Sequence, residues 1–97
     1  MNEWSFDEPK NVVSFTSRQV IREEHPILWV SHDADDGAWQ FHTGGIVSVA
    51  DAMIVLLQNI VNRDPTVSEL ADLPLGWVAE RDALGAPWRR SRHEEVE

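Results

Sequence analysis

Two segments, ILWVSH (27–32) and AWQFHT (38–43), constrain the fold of this chain more than any other feature. The first is rich in β-branched and aromatic residues, and the second alternates large apolar with polar side chains, so each reads as a strand. Between them lies DADDG, whose Asp36-Gly37 dipeptide suits a tight hairpin turn because Asp and Gly tolerate the positive φ values that match the strands' twist. With those two residues at the turn, Trp39 and Phe41 share a sheet face with Val30 and His32, while Ile27, Trp29, Ser31, Gln40 and His42 point the other way. A one-residue shift in the loop would reverse that assignment. Gly44-Gly45 then ends the second strand.

The remainder of the chain supplies elements to pack against this hairpin. Residues 1–11 contain Pro9 and no sustained period, and predict a loosely held arm with Trp4 and Phe6 as the side chains able to dock. NVVSF reads as a short strand. Thr16 or Ser17 is placed to cap a helix of about two turns, SRQVIREEH, with Val20 and Ile21 facing inward and Pro26 preventing its continuation. In SVADAMIVLLQNIVNRD, Val49, Met53, Leu56, Leu57, Ile60 and Val61 recur at helical spacing, so periodicity predicts one helix over 49–62. The competing reading makes MIVL a buried strand and LQNIVNRD a short helix, because a dense apolar run suits either element. Asp64-Pro65 ends that segment. Thr66 and Glu69 resemble a capping box for VSELADL, which Pro74 stops. LGWVAER (75–81) reads as a strand, DALG as a turn, and APWRR as a last strand pairing back.

The 97 residues are one domain's worth of chain: a single domain over 12–90, behind the arm 1–11 and before a charged tail at 91–97. Hydrophobic residues make up 42%, with five Trp and three Phe, enough for one core. Without Cys, disulfides, thiolate metal ligands, iron–sulfur clusters and thiol nucleophiles are excluded together, which fits a reducing cytoplasm. MNEWSFDEPKN carries acid where a secretory signal carries base, and no apolar run approaches the ~20 residues of a membrane span, so a cytoplasmic protein away from membranes is expected. The net charge of −9 repels nucleic acid. The one basic cluster, WRRSRH, is followed at once by EEVE, which neutralises it. An acidic surface instead suits a basic protein partner.

Three carboxylates and two histidines crowd HDADDGAWQFHTGG (32–45), yet the stretch fails specific tests for a metal. Asp33, Asp35, Asp36 and Gly37 break the spacing of an EF-hand loop, and no Glu follows before Glu69. Zinc needs three or four convergent ligands, whereas His32 and His42 fall on opposite faces of the hairpin. A solvated turn flanked by sheet histidines is the expectation, with no metal. Glu80 and Asp82 lie two apart in a strand with Arg81 pointing away, an ordinary surface pattern. Nucleophile elbows, phosphate cradles and H-E-x-x-H are absent. Trp29, Trp39, Trp77 and Trp88 sit on strands or their ends and read mainly as core, but five indoles are hard to bury fully in so small a chain. Trp29, on the less favoured hairpin face, is the one expected to meet a partner.

The order D-x-G-x-W-x-F-x-x-G (Asp35 to Gly44), I-x-N-x-D-P (Ile60 to Pro65) and L-x-x-x-P-x-G-x-x-x-E-R-D (Leu70 to Asp82) resembles a bacterial family of small domains. That family was first grouped as a domain of unknown function, and members are assigned as immunity proteins of polymorphic toxin systems. The similarity spans roughly residues 12–90; here Ala38 separates Gly37 from Trp39, where the family often has a small polar residue directly before Gly-Trp. The resemblance implies a mostly β fold with an apolar strand feeding a short helix before Asp-Pro, favouring the split reading of 53–63. It also implies structural roles for Trp39, Phe41, Gly44, Asp64, Pro65 and Gly76, and no catalytic set.

The expected architecture is therefore α+β, a twisted, mostly antiparallel sheet of about four to six strands with two or three short helices on one face. The expected function is a non-enzymatic protein-binding module, a cytoplasmic immunity protein that neutralises a toxin without cofactor or nucleic acid. It would present Asp33, Asp35, Asp36, Glu80 and Asp82 around Trp29. One rival is a small-ligand-binding or regulatory housekeeping domain with an apolar pocket at Trp77 and Trp88. Another is an enzyme built from His32 or His42 with carboxylates of perturbed pKa.

Overall fold

In the computed structural model, which describes residues 4–45 and 48–93, the extended segments become six strands. These are β1 (Val13–Ser17), β2 (Trp29–His32), β3 (Trp39–His42), β4 (Ala52–Leu56), β5 (Trp77–Glu80) and β6 (Arg89–Arg92). They form one sheet in the order β4-β1-β3-β2-β5-β6. Only the β1–β3 pair is parallel, with Phe15 opposite Gln40. The remaining neighbours are antiparallel.

The hairpin pairs Trp29 with His42, Val30 with Phe41, Ser31 with Gln40 and His32 with Trp39. A two-residue turn at Asp36-Gly37 would set Asp35 against Ala38. Instead Asp33 N–H donates to the Ala38 carbonyl and Gly37 N–H to the Asp33 carbonyl, each at 2.8 Å, so the loop is Ala34–Gly37. The two-residue turn favoured for hairpins needs positive φ at both central residues, and of this pair only Gly37 has it. Asp36 contributes its side chain, which accepts from Ala38 N–H at 2.9 Å. The register thus slips by two residues, which keeps every side chain of β2 and β3 on the face the sequence assigns it. Ile27 is the correction: it precedes β2, escapes the alternation, and is buried in the core beside Val30.

The core lies on the Trp39 face. Val30, Trp39, Phe41 and Ala79 of the sheet meet Val20 of α1 (Arg18–Ile21), Leu57 and Ile60 of α2 (Leu57–Arg63), and Val67 and Leu70 of a 3-10 helix (Pro65–Leu70). Phe6 of the N-terminal arm joins them, its ring edge-on to Trp39 at 5.1 Å, and Trp4 packs alongside. Each fully buried Val, Leu, Ile or Phe among them stabilises by about 1.5–3 kcal/mol.

Helix limits depart from the local signals for identifiable reasons. α1 spans four residues because the chain turns into a left-handed conformation at Glu24 before Pro26 is reached. Ser17 stands at its N-cap without a capping hydrogen bond, and Thr16 donates instead to the Phe41 carbonyl at 2.7 Å, tying β1 to β3. Within 49–62 the single helix does not form: after a 3-10 turn (Val49–Asp51), five residues pair with β1 as β4, and α2 follows at once. β4 is an edge strand rather than a buried one, with Ile54 64% exposed. Asp64, not Thr66, caps the 3-10 helix, accepting from Thr66 N–H at 3.0 Å. β6 runs through Arg92, so 91 and 92 belong to the sheet rather than to a tail; residues 94–97 lie outside those described.

Candidate functional site: the open face of the sheet

Period-2 alternation leaves the second sheet face with Ala52, Ile54 and Leu56 of β4, Val13, Phe15 and Ser17 of β1, Gln40 and His42 of β3, Trp29 and Ser31 of β2, and Val78 and Glu80 of β5. The helical segments send their buried side chains to the opposite face. Val13 is consequently 52% exposed beside Ile54, and Phe15, Leu56 and Trp29 are half-buried.

A polar chain crosses the middle of this face. Asp33 Oδ1 accepts from the Ser31 hydroxyl at 2.8 Å, and its Oδ2 accepts from Gln40 Nε2 at 2.6 Å. With its amide so oriented, Gln40 turns Oε1 toward His42 Nε2 at 3.0 Å. An amide oxygen only accepts, so His42 carries its hydrogen on Nε2, and the neutral ring keeps its lone pair on Nδ1. Among the described residues Nδ1 has no donor. His42 is 8% exposed, and Trp29 leans against it with ring centroids 5.8 Å apart. Burial lowers its pKa from 6.5, and the negative charge of Asp33 opposes that shift in part.

The proton balance of His42 gives a stability prediction. Because the native ring binds a proton less readily than the unfolded one, its contribution is fully present above pH 6.5 and is lost as the pH falls through that value toward the lower folded-state pKa. Urea midpoints between about pH 5 and 8 are expected to drop more steeply on acidification for the parent than for His42→Gln. Equal slopes would mean a solvated ring.

The six partner-binding residues expected from sequence fall into two groups. Asp33, Asp35 and Asp36 sit at the hairpin loop, where Asp33 is engaged internally and Asp35 and Asp36 are exposed. Trp29 and Glu80 are register partners at the other end of β2, roughly 13 Å along the strand by its rise per residue. Asp82, beyond β5, meets Arg89 at 3.1 Å. Gly44 and Gly76 both take positive φ, and a Cβ on Gly76 would lie 3.5 Å from Ala34 Cβ. Pro65 opens the 3-10 helix behind Asp64.

Sequence reasoning missed Gln40 and Ser31, whose importance emerges only once the register brings them to Asp33. It also missed the environment of Arg81, 3% exposed and bound to Asp64 at 2.6 Å. A signal for the latter existed: Arg81 continues the inward series Trp77, Ala79. Trp77 borders a hollow of about 220 Å³ with His32, Asp35, Gly76 and His93, whereas Trp88 packs on the core under the Arg81 guanidinium, 4.1 Å from its ring centroid.

No family model, curated protein or solved structure matches this chain. Among the described residues, no helix is long and apolar enough to cross a membrane, and no group of three His, Asp or Glu is placed to hold a metal ion.

Proposed function

We propose that this chain is a non-enzymatic, protein-binding module, a bacterial cytoplasmic immunity protein that masks a basic toxin domain with the open face of its sheet. The observation that carries the reading is the contiguous apolar strip of Val13, Phe15, Ile54 and Leu56, exposed or half-buried among the described residues and bordered by the exposed carboxylates of Asp35 and Asp36. Apolar burial would slow release, and the −9 charge would speed encounter with a cationic partner. The resemblance of residues 35–82 to small domains assigned as immunity proteins is consistent with this reading.

The test is association with a toxin-like protein encoded beside this gene. Ile54→Asp is expected to weaken binding at least tenfold, by placing a charge in the apolar contact, while leaving the fold intact because Ile54 is exposed on an edge strand. Asp35→Asn with Asp36→Asn is expected to slow association several-fold at low salt and to matter less at high salt. Asp33 is left out of that variant because it holds Ser31 and Gln40. Association rates identical to the parent's would remove the acidic rim from the mechanism. A second reading, a small-ligand-binding housekeeping domain, is favoured by the hollow of about 340 Å³ among Trp29, Gln40, His42, Gly44 and Gly45. Mass spectrometry of the native protein, showing a retained compound, would support it.

A further inference from the structure

The sheet ends at β4 on one side and at β6 on the other, and the two edges are built differently. β6 reads RRSR and is exposed throughout, so its guanidinium groups guard it against edge-to-edge pairing. β4 reads AMIVL, with no charge, proline or glycine, and its register with β1 is unbroken, so no bulge turns the edge away. A bare edge of this kind is a template for another strand.

The ladder with β1 fixes which backbone groups of β4 are free. Leu57 N–H donates to the Val12 carbonyl at 2.8 Å, and the antiparallel register carries that inward bonding to Val55 and Met53. The intervening residues Ala52, Ile54 and Leu56 therefore turn their N–H and C=O groups outward. Of these, Ala52 N–H returns to the Val49 carbonyl, and Leu56 stands at the N-cap of α2, where its carbonyl enters the helix. The Ala52 carbonyl, the Ile54 N–H and carbonyl, and the Leu56 N–H are left without a backbone partner among the described residues.

This set is its own complement. Turned about a two-fold axis at Ile54, it joins Ile54 to Ile54 of a second copy by reciprocal hydrogen bonds, and Leu56 N–H to the Ala52 carbonyl in each direction. The side chains agree: Ile54 meets itself, small Ala52 faces large Leu56, and no like charges are opposed. β6 turned on itself would instead set Arg opposite Arg.

We infer that β4 is the seam of a two-fold dimer, in which a second copy of this chain continues the sheet antiparallel to it. Edge pairing leaves the open face accessible and joins the two apolar strips into one, so the inference goes beyond the protein-binding reading and does not depend on it. A seam of one short strand falls short of the ~1,200 Å² at the lower end of stable interfaces. Two chains of net charge −9 also repel. The dimer is therefore reversible, and salt strengthens it by screening that repulsion.

The chain has no cysteine, so a single introduced thiol reports the contact without background. In a hydrogen-bonded antiparallel pair the Cα atoms lie about 5.5 Å apart, within the span of a disulfide. Ile54→Cys is expected to form a covalent dimer under mild oxidation at least about tenfold faster than Val13→Cys. Val13 is on the same face and is 52% exposed against 64% for Ile54. Its two copies would nevertheless stand roughly 20 Å apart, three strand spacings across and about four residues along. In sedimentation velocity the parent is expected to show a monomer–dimer equilibrium that added salt shifts toward dimer. Ile54→Lys, which opposes two cations on the axis, is expected to sediment as a monomer with an unchanged circular dichroism spectrum. Equal cross-linking rates at the two positions, a parent monomeric at its highest soluble concentration, an Ile54→Lys variant that still dimerises, or growth into species larger than a dimer would overturn the seam.

Discussion

Trp39→Ala is expected to lower unfolding stability by about 3–5 kcal/mol, read from the urea midpoint at unchanged slope. The ring is 2% exposed at the centre of the core layer. It stacks on His32 at 4.0 Å, lies parallel to Phe41 at 6.1 Å, and takes the edge of Phe6 at 5.1 Å. Its removal therefore empties space shared by β2, β3 and the N-terminal arm. The indole N–H has no acceptor among the described residues, so it contributes nothing by hydrogen bonding. Trp39→Phe, which keeps the stacked apolar ring and deletes that donor, should accordingly cost much less than Trp39→Ala. A loss below ~1 kcal/mol for Trp39→Ala would mean that the ring is not core.

The same residue shows how far the sequence reaches. Trp39, Phe41, Val30 and His32 are placed on one face by alternation alone, and the structure agrees even though the turn differs, because a slip of two residues preserves parity. Local signals fail where long-range pairing decides. Residues 49–62 have helical spacing, yet β1 offers a five-residue antiparallel partner, and ladder formation there outweighs a propensity difference of a few tenths of a kcal/mol per residue. The cap near Pro65 is Asp64 rather than Thr66, because Thr66 is engaged in bridging Asp64 and Arg81. The site follows the same rule. Asp33, Asp35 and Asp36 are visible as a charged turn, but the tie from Asp33 through Gln40 to His42 exists only in the folded register, where residues seven and two apart become neighbours. The bare edge is less legible still, since which backbone groups of β4 are free depends on its register with β1.

Arg81→Met should be as damaging as the loss of Trp39, for an electrostatic reason. The Arg81 guanidinium donates through Nε to the Ile27 carbonyl at 3.0 Å, through Nη1 to Thr66 Oγ1 at 3.0 Å, and through Nη2 to Asp64 Oδ2 at 2.6 Å. Asp64 in turn accepts from the Thr66 amide and hydroxyl, so the network is satisfied on both sides and joins the chain before β2, the α2–3-10 junction and the end of β5. Methionine fills comparable volume but leaves the Asp64 carboxylate, 7% exposed, without its countercharge. Breaking a buried pair from one side costs about 3–5 kcal/mol, because desolvation of the remaining ion is no longer offset. Arg81→Lys keeps the charge without the forked donors, and is expected to fall between parent and Arg81→Met. Combining Arg81→Met with Asp64→Asn, which removes the stranded charge yet retains an acceptor for the Thr66 amide, should recover a substantial part of the loss. A double-mutant cycle measures that coupling directly. If the two substitutions simply add, or if Arg81→Met costs under ~1 kcal/mol, water must reach Asp64 and the pair is not the internal tie described.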